Sequence, residues 1–182
     1  MHAPTARPPA RPRRHRHAWG ARAAALVLAT AGLAAGCTPT IGVPVADDAA
    51  NPVCADVVLA LPDVVDGLHQ TKTDSQATTA WGEPGAAVTL RCGVAPPGPT
   101  ASEPCTTVPG ADADVDWLAS PDAEGTWTFV TYGRDPAVEV KVPPTVRKDH
   151  STAFIGDLNG PVSKIPQKHR CVGLDDVPTP AS

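Results

Sequence analysis

The sequence predicts an α+β domain: a small antiparallel sheet with two or three short helices, braced by two disulfides. Three observations predict it. Four segments in the second half alternate apolar and polar residues with period two, the signature of strands with one buried face. Two segments carry helix-start chemistry. Four cysteines lie within the patterned region, Cys54, Cys92, Cys105 and Cys171. At 182 residues the chain favours one folded domain, and a hydrophobic content of 42% is that of a globular protein.

The front of the chain reads as an address. Arg7, Arg11, Arg13, Arg14, Arg16 and Arg22 precede an acid-free apolar run of 13 residues, 23–35. A bilayer span needs about 20 apolar residues, whereas a basic stretch followed by a short apolar one reads as a secretory signal. Leu33-Ala34-Ala35-Gly36-Cys37 resembles a bacterial lipobox, in which the cysteine is lipidated and becomes the mature N-terminus. Residues 1–36 are therefore expected to be a lipoprotein signal peptide. Cys37 is expected to carry acyl chains that hold the protein at the extracytoplasmic face of the cell membrane. Ordinary secretion with Cys37 as a thiol is the alternative. Arg13-Arg14 leaves both general secretory and twin-arginine export open. Cleavage removes six of the 15 basic residues and none of the 19 acidic ones, which leaves a charge near −10.

Residues 38–52 lack periodicity, so 37–53 is expected to be the lipidated cysteine and a flexible tether. About 15 such residues have an r.m.s. span of roughly 20 Å. Asn51-Pro52 is a helix start, with a capping residue before proline at the first helical position. Val53, Val57, Val58 and Leu61 follow at helical spacing, and Pro62 ends the run. Residues 64–73 are a strand or a turn plus strand, and 75–81 a short helix ending at Gly82. Four strands follow, over 87–94, 113–119, 126–132 and 137–142. In the second, Asp112, Asp114 and Asp116 oppose Ala113, Val115 and Trp117. Ser120-Pro121-Asp122 with Glu124-Gly125, and then Gly133 with Pro136, supply turns. Such short connections favour antiparallel pairing of consecutive strands. Residues 151–158 read as a helix capped by Asp149 or Ser151 and ended by Asn159-Gly160-Pro161. The folded domain is expected over 54–171, with a disordered tail over 172–182.

Four cysteines in an extracytoplasmic domain suit two disulfides, with three possible pairings. Position favours Cys92–Cys105, flanking a Gly/Pro-rich excursion, with Cys54–Cys171 tying the ends of the patterned region. No C-x2-C pair is present, so neither a zinc site nor a redox pair is indicated.

Little else points to chemistry. The acidic run at Asp112, Asp114 and Asp116 lacks the glycine and glutamate of a calcium loop and fits the solvent face of a strand. His69, His150 and His169 are scattered, and no hydrolase, zinc-protease or phosphate-loop motif appears. The reading assigns no catalytic, cofactor-binding or metal-binding residue. A net acidic chain is a poor nucleic-acid binder, because such binding neutralises phosphates with Lys and Arg. Trp81, Arg134 and Glu139 are the candidates for an interaction surface. Trp81 with Trp117 forms either an exposed aromatic patch or part of the core. Arg134 and Glu139 form an ion pair or meet a partner.

Several blocks carry a resemblance. Cys54 with Leu61-Pro62, Trp81-Gly82-x-Pro84, Leu90-Arg91-Cys92-Gly93-Val94, Val115-Asp116-Trp117, and Thr131-Tyr132-Gly133-Arg134-x-Pro136-Ala137-Val138-Glu139-Val140-x-Val142-Pro143 occur in this order. Together they resemble an actinobacterial lipoprotein family, the domain of unknown function 3515. The resemblance covers most of 54–143 and implies a small, exported, membrane-anchored protein with no assigned activity. The expected role is a non-enzymatic binding or interaction module for an envelope protein or cell-wall component. A small-ligand carrier or sensor is the alternative, and an envelope hydrolase the third reading.

Overall fold

The four alternating segments form strands, and four further strands join them. The computed structural model describes residues 39–99 and 103–172. The leader over 1–36, Cys37 and the tail from 173 onward lie outside the described residues. In chain order the elements are helix α1 (Pro52–Leu59), β1 (Val64–Val65), β2 (Leu68–Thr71), β3 (Thr78–Glu83), β4 (Ala86–Val94), β5 (Cys105–Val108), β6 (Val115–Pro121), β7 (Trp127–Thr131), β8 (Ala137–Val142), α2 (Pro144–Arg147), a 3-10 segment (Thr152–Leu158) and α3 (Asn159–Val162). The strands make one eight-stranded sheet in the order β1-β2-β3-β4-β8-β7-β6-β5, antiparallel throughout. The domain is thus sheet-dominated, with a larger sheet than expected and few short helices.

The difference lies in strands buried on both sides. Residues 75–81 do not form a helix: Thr78 to Gly82 are all buried on β3. Trp81 faces the main core, while Ala80 packs with Ile41, Val43 and Ala87 in a second cluster behind the sheet. With both faces covered there is no alternation to read. Strand β5 follows the proline excursion directly and pairs only with β6. The strand expected over 113–119 lies over 115–121 instead. Asp116 is buried rather than solvent-facing.

The helices close one face. Asn51 caps α1, its Oδ1 accepting from Val53 N at 3.2 Å, and buries Cys54 and Val57 against Val88, Leu90 and Val140. Ser151 caps the 3-10 segment, accepting from Ala153 N. That segment ends at Leu158 as expected, with Asn159 as its C-cap, and Asn159-Gly160-Pro161 then begin α3. Asn159 is fully buried and ties the layers together. Its Oδ1 accepts from Trp117 Nε1 at 3.2 Å, and its Nδ2 donates to Val108 O and Ala113 O.

The disulfides are Cys54–Cys92 and Cys105–Cys171, not the Cys92–Cys105 and Cys54–Cys171 pairs that position favoured. The sheet explains the correction. Cys92 on β4 and Cys105 on β5 are separated by β8, β7 and β6, four strand spacings or about 19 Å. A bridge needs Cα atoms within about 7 Å. Instead α1 is pinned to the sheet centre, and the C-terminal segment to the edge strand. Sequence separations of 38 and 66 correspond to about 4 kcal/mol each in the chain-entropy account.

The stretch expected to be a tether is mostly packed. Ile41, Val43, Ala46 and Ala49 are buried. Ile41 N donates to Lys72 O at 2.8 Å, and Ile41 pairs with Thr73 in parallel. Val43 N donates to Asp74 Oδ1 at 3.0 Å. Asp48 N donates to Gly93 O at 3.0 Å. Gly93 sits where the β4–β8 register shifts, at φ 102°, and a Cβ there would strike the backbone of Asp48 and Ala49. The segment lacks periodicity because it follows a sheet face instead of a helical or pleated repeat.

Peptide mapping without reduction is expected to return Cys54–Cys92 and Cys105–Cys171 peptides; a Cys92–Cys105 peptide would refute the pairing. Replacing both Cys54 and Cys92 by Ala should lower the unfolding free energy by about 2–5 kcal/mol. Asp74 supplies a pH dependence. The Val43 amide, and to a lesser extent Ser75, hold its carboxyl below the ordinary value of 3.8, with desolvation opposing. A depressed folded pKa stabilises above the unfolded value, and that contribution is lost as pH falls through the folded one. Protection of the Val43 amide from hydrogen exchange should therefore fall on acidification below pH 3.8. Asp74→Asn should abolish that pH dependence.

Candidate functional site

None of the three surface candidates is an open contact residue. Trp81 is fully buried, and its Nε1 donates to Pro62 O at 2.8 Å. Glu139 does not meet Arg134. It is held across the β4–β8 pair by Arg91, Nε to Oε1 at 2.7 Å and Nη2 to Oε2 at 3.1 Å, with Lys141 Nζ 3.9 Å away. Arg91 and Glu139 are register partners, so their meeting follows from strand pairing that the sequence does not display.

Arg134 is the unusual one of the three. It lies in the β7–β8 connection, 4% exposed, just before the cis peptide Asp135-Pro136. Its Nη1 donates to Ile165 O, while its Nε is buried with no partner. Burial lowers the guanidinium pKa from its ordinary value, and the negative charge of Asp116 opposes that shift. Arginine nevertheless remains cationic in proteins.

Asp116 is the counterpart, 4% exposed on β6. Oδ1 accepts from Thr107 Oγ1 at 2.6 Å. Oδ2 accepts from Gln167 Nε2 and Cys171 N, each at 2.8 Å. Arg134 and Asp116 thus grip the same segment, 165–171, at two places. That segment is bonded further through Lys168 N to Gly133 O and Lys168 Nζ to Asp135 Oδ2 at 2.9 Å. Gly133 is at φ 71°, and a Cβ there would overlap the His169 carbonyl. Residues 165–171 therefore form a strap that starts in the core at Ile165 and reaches Asp116 on β6, stapled by Cys105–Cys171. Gln167 and Lys168 were not legible as partners of this site, because the strap has neither periodicity nor motif.

Between the strap, the β7–β8 connection and the proline excursion lies a cleft of about 360 Å³. Pro96, Pro97, Tyr132, Arg134, Lys168 and His169 line it. Its chemistry is apolar on the proline side and polar on the strap side, where Lys168 is paired with Asp135, which also lines it. A second concavity of about 310 Å³ adjoins α1, lined by Pro52, Ala55, Val58 and Leu59 with Ala49 and Ala77. A third adjoins it through Val58 and Leu59, reaching Lys72 and Thr73.

The histidines stay apart. His69 is exposed on β2 and His169 on the strap. His150 Nδ1 lies 3.0 Å from Asp66 Oδ2, and that contact includes no hydroxyl or thiol among the described residues. No cluster of three or more His, Cys, Asp or Glu is placed to hold a metal ion among the described residues. No described helix is long and apolar enough to cross a membrane.

Sheet, staples and strap define a disulfide-braced, sheet-dominated domain with a buried arginine centre. A family model described as protein of unknown function (DUF3515) matches residues 19–170, and the chain belongs to that family. No curated protein and no solved structure matches the chain.

Arg134→Met removes the donor to Ile165 and should lower stability by about 1.5–3 kcal/mol. The strap amides Lys168 and Cys171 should lose exchange protection first; unchanged protection there would refute the clamp. Gly133→Ala should destabilise by more than about 1–2 kcal/mol, since left-handed backbone alone costs that much for a residue with a Cβ.

Proposed function

We propose that the chain is an exported protein, lipidated at Cys37 and held at the extracytoplasmic face of the cell membrane. On this reading its domain is a non-enzymatic binding module for an envelope protein or cell-wall component. The observation that carries the reading is the pair of disulfides in a domain this small, Cys54–Cys92 and Cys105–Cys171. Such bridges persist in oxidising compartments and are rare in the cytosol. They agree with the basic leader, the short apolar run and the lipobox-like Leu33-Ala34-Ala35-Gly36-Cys37. The dispersal of His69, His150 and His169 favours binding over catalysis.

A second reading, a small-ligand carrier or sensor, draws on the cleft at Arg134. Its wall of Pro96 and Pro97 facing Tyr132 and the Lys168–Asp135 pair suits a small ligand with an apolar face and a polar end.

In cells fed labelled palmitate, the wild-type chain should incorporate label and Cys37→Ala should not. Incorporation that survives Cys37→Ala would remove the anchoring claim. Crosslinking in whole cells with the wild-type chain as bait should recover an envelope component. Bait altered at Tyr132 and Lys168 should recover less of it if the cleft is the binding surface.

A further inference from the structure

We propose that the domain rests on the bilayer itself, through the exposed end of α1 around Leu59 and the neighbouring strand end at Lys72. This rests on the lipidation reading above. It follows from how little chain remains free between the anchor and the fold.

A tether of about 15 flexible residues would lift the domain roughly 20 Å from the lipid. The packed segment removes most of that freedom. From Ile41 onward the backbone is held, by Lys72 O at 2.8 Å and by the parallel pairing with Thr73. Asp74 holds Val43 and Gly93 holds Asp48. Four residue steps separate Cys37 from Ile41, and fully extended chain covers at most about 14 Å in that number. An acylated cysteine sits at the headgroup level, and each headgroup layer is itself about 5–8 Å thick. The surface next to Ile41 is therefore brought against the headgroups.

The residues on that surface suit the contact. Leu59 is 85% exposed, the most exposed large apolar side chain among the described residues. It lines one concavity together with Lys72 and Thr73, the residues to which Ile41 is bonded. It also lines the other with Pro52, Ala55 and Val58. A chain near −10 after cleavage is repelled by an anionic surface, so general charge attraction does not make this contact. The apolar end at Leu59, flanked by Lys72 and Asp63 with no net charge between them, does. One leucine would hold a free protein on lipid only weakly, but the anchor turns the contact into an intramolecular one at high effective concentration.

The orientation also places the cleft. Asp116 and the strap lie on β6, five strand spacings from β2, or about 24 Å. With the β2 side against lipid, the Arg134 cleft stands clear of the bilayer.

The test uses the mature chain, residues 37–182, with Cys37 coupled through its thiol to a maleimide phospholipid. Cys37 is the one cysteine outside the two bridges, and this coupling is independent of whether cells lipidate it. The vesicles contain equal parts phosphatidylethanolamine and phosphatidylglycerol, with brominated acyl chains as short-range quenchers of tryptophan. Leu59→Trp and Lys72→Trp should be quenched several-fold more than Thr106→Trp on the distant edge strand β5. The Thr106→Trp variant also controls for the lipid affinity of tryptophan itself. Equal quenching at all three positions overturns the contact while leaving the palmitate result untouched. A missing palmitate signal with strong quenching at Leu59→Trp overturns the lipidation reading alone.

Discussion

Strand β4 pairs with β8 rather than with the next strand in sequence, and the other features of the domain depend on that choice. The pair sets Leu90 opposite Val140 and Cys92 opposite Val138, all fully buried. It also brings Arg91 to Glu139 on the opposite face as a bidentate pair. Because β8 occupies the place beside β4, the chain must cross three strands before β5 can begin. The proline-rich stretch 95–99 makes part of that crossing, and proline suits it by giving up a backbone donor that no strand there would accept. The same choice separates Cys92 from Cys105 and leaves Cys92 facing α1, where Cys54 meets it.

A sheet of eight strands has two faces, and the short helices cover only one of them. The back is covered by irregular chain at two places. Residues 41–49 lie behind β3 and β4, burying Ala80 and Ala87. Residues 167–171 cover Asp116 on β6, through Gln167 Nε2 and Cys171 N. Irregular chain at a buried face must find partners for its own amides. Each segment does so at points the sheet provides: Lys72 O, Asp74 and Gly93 O at one end, Asp116 and Gly133 O at the other. Asp116 is a special case because a buried carboxylate needs compensation. Three hydrogen bonds and the field of Arg134 provide it, so the strap is held by the same groups that make the aspartate tolerable.

What the sequence displayed follows from how many faces of each element are covered. Strands β4, β7 and β8 and helix α1 were legible, because each shows the core on one side and something polar on the other. Strand β3 was not, since Thr78-Thr79-Ala80-Trp81 is covered on both. Strand β5 was not, since four residues after Pro104 give too short a pattern. The first hairpin takes the turn-plus-strand form of the two open over 64–73: Asp66-Gly67, both at positive φ, is a preferred two-residue turn between antiparallel strands. The site was less legible than the fold. Arg134 stands out by type, but its neighbours Asp116 on the one hand and Ile165 and Gln167 on the other come from two distant stretches, and only the fold brings them together. Trp81 and Glu139 suit a surface by type, yet sheet register buries one and pairs the other.

The two disulfides acquire a common meaning from this arrangement. Each joins a covering layer to the sheet near the point where irregular chain leaves it. Cys54–Cys92 sits immediately after the N-terminal segment and one residue before the Gly93 carbonyl that holds Asp48. Cys105–Cys171 closes the strap beside Asp116. Stability from burial alone is limited in a domain of this size, and irregular segments without repeating hydrogen bonds are where local opening begins. The bridges therefore act where the hydrogen-bonded lattice is weakest. The packed N-terminal segment is part of the fold, and removing it would expose Ala80 and Ala87.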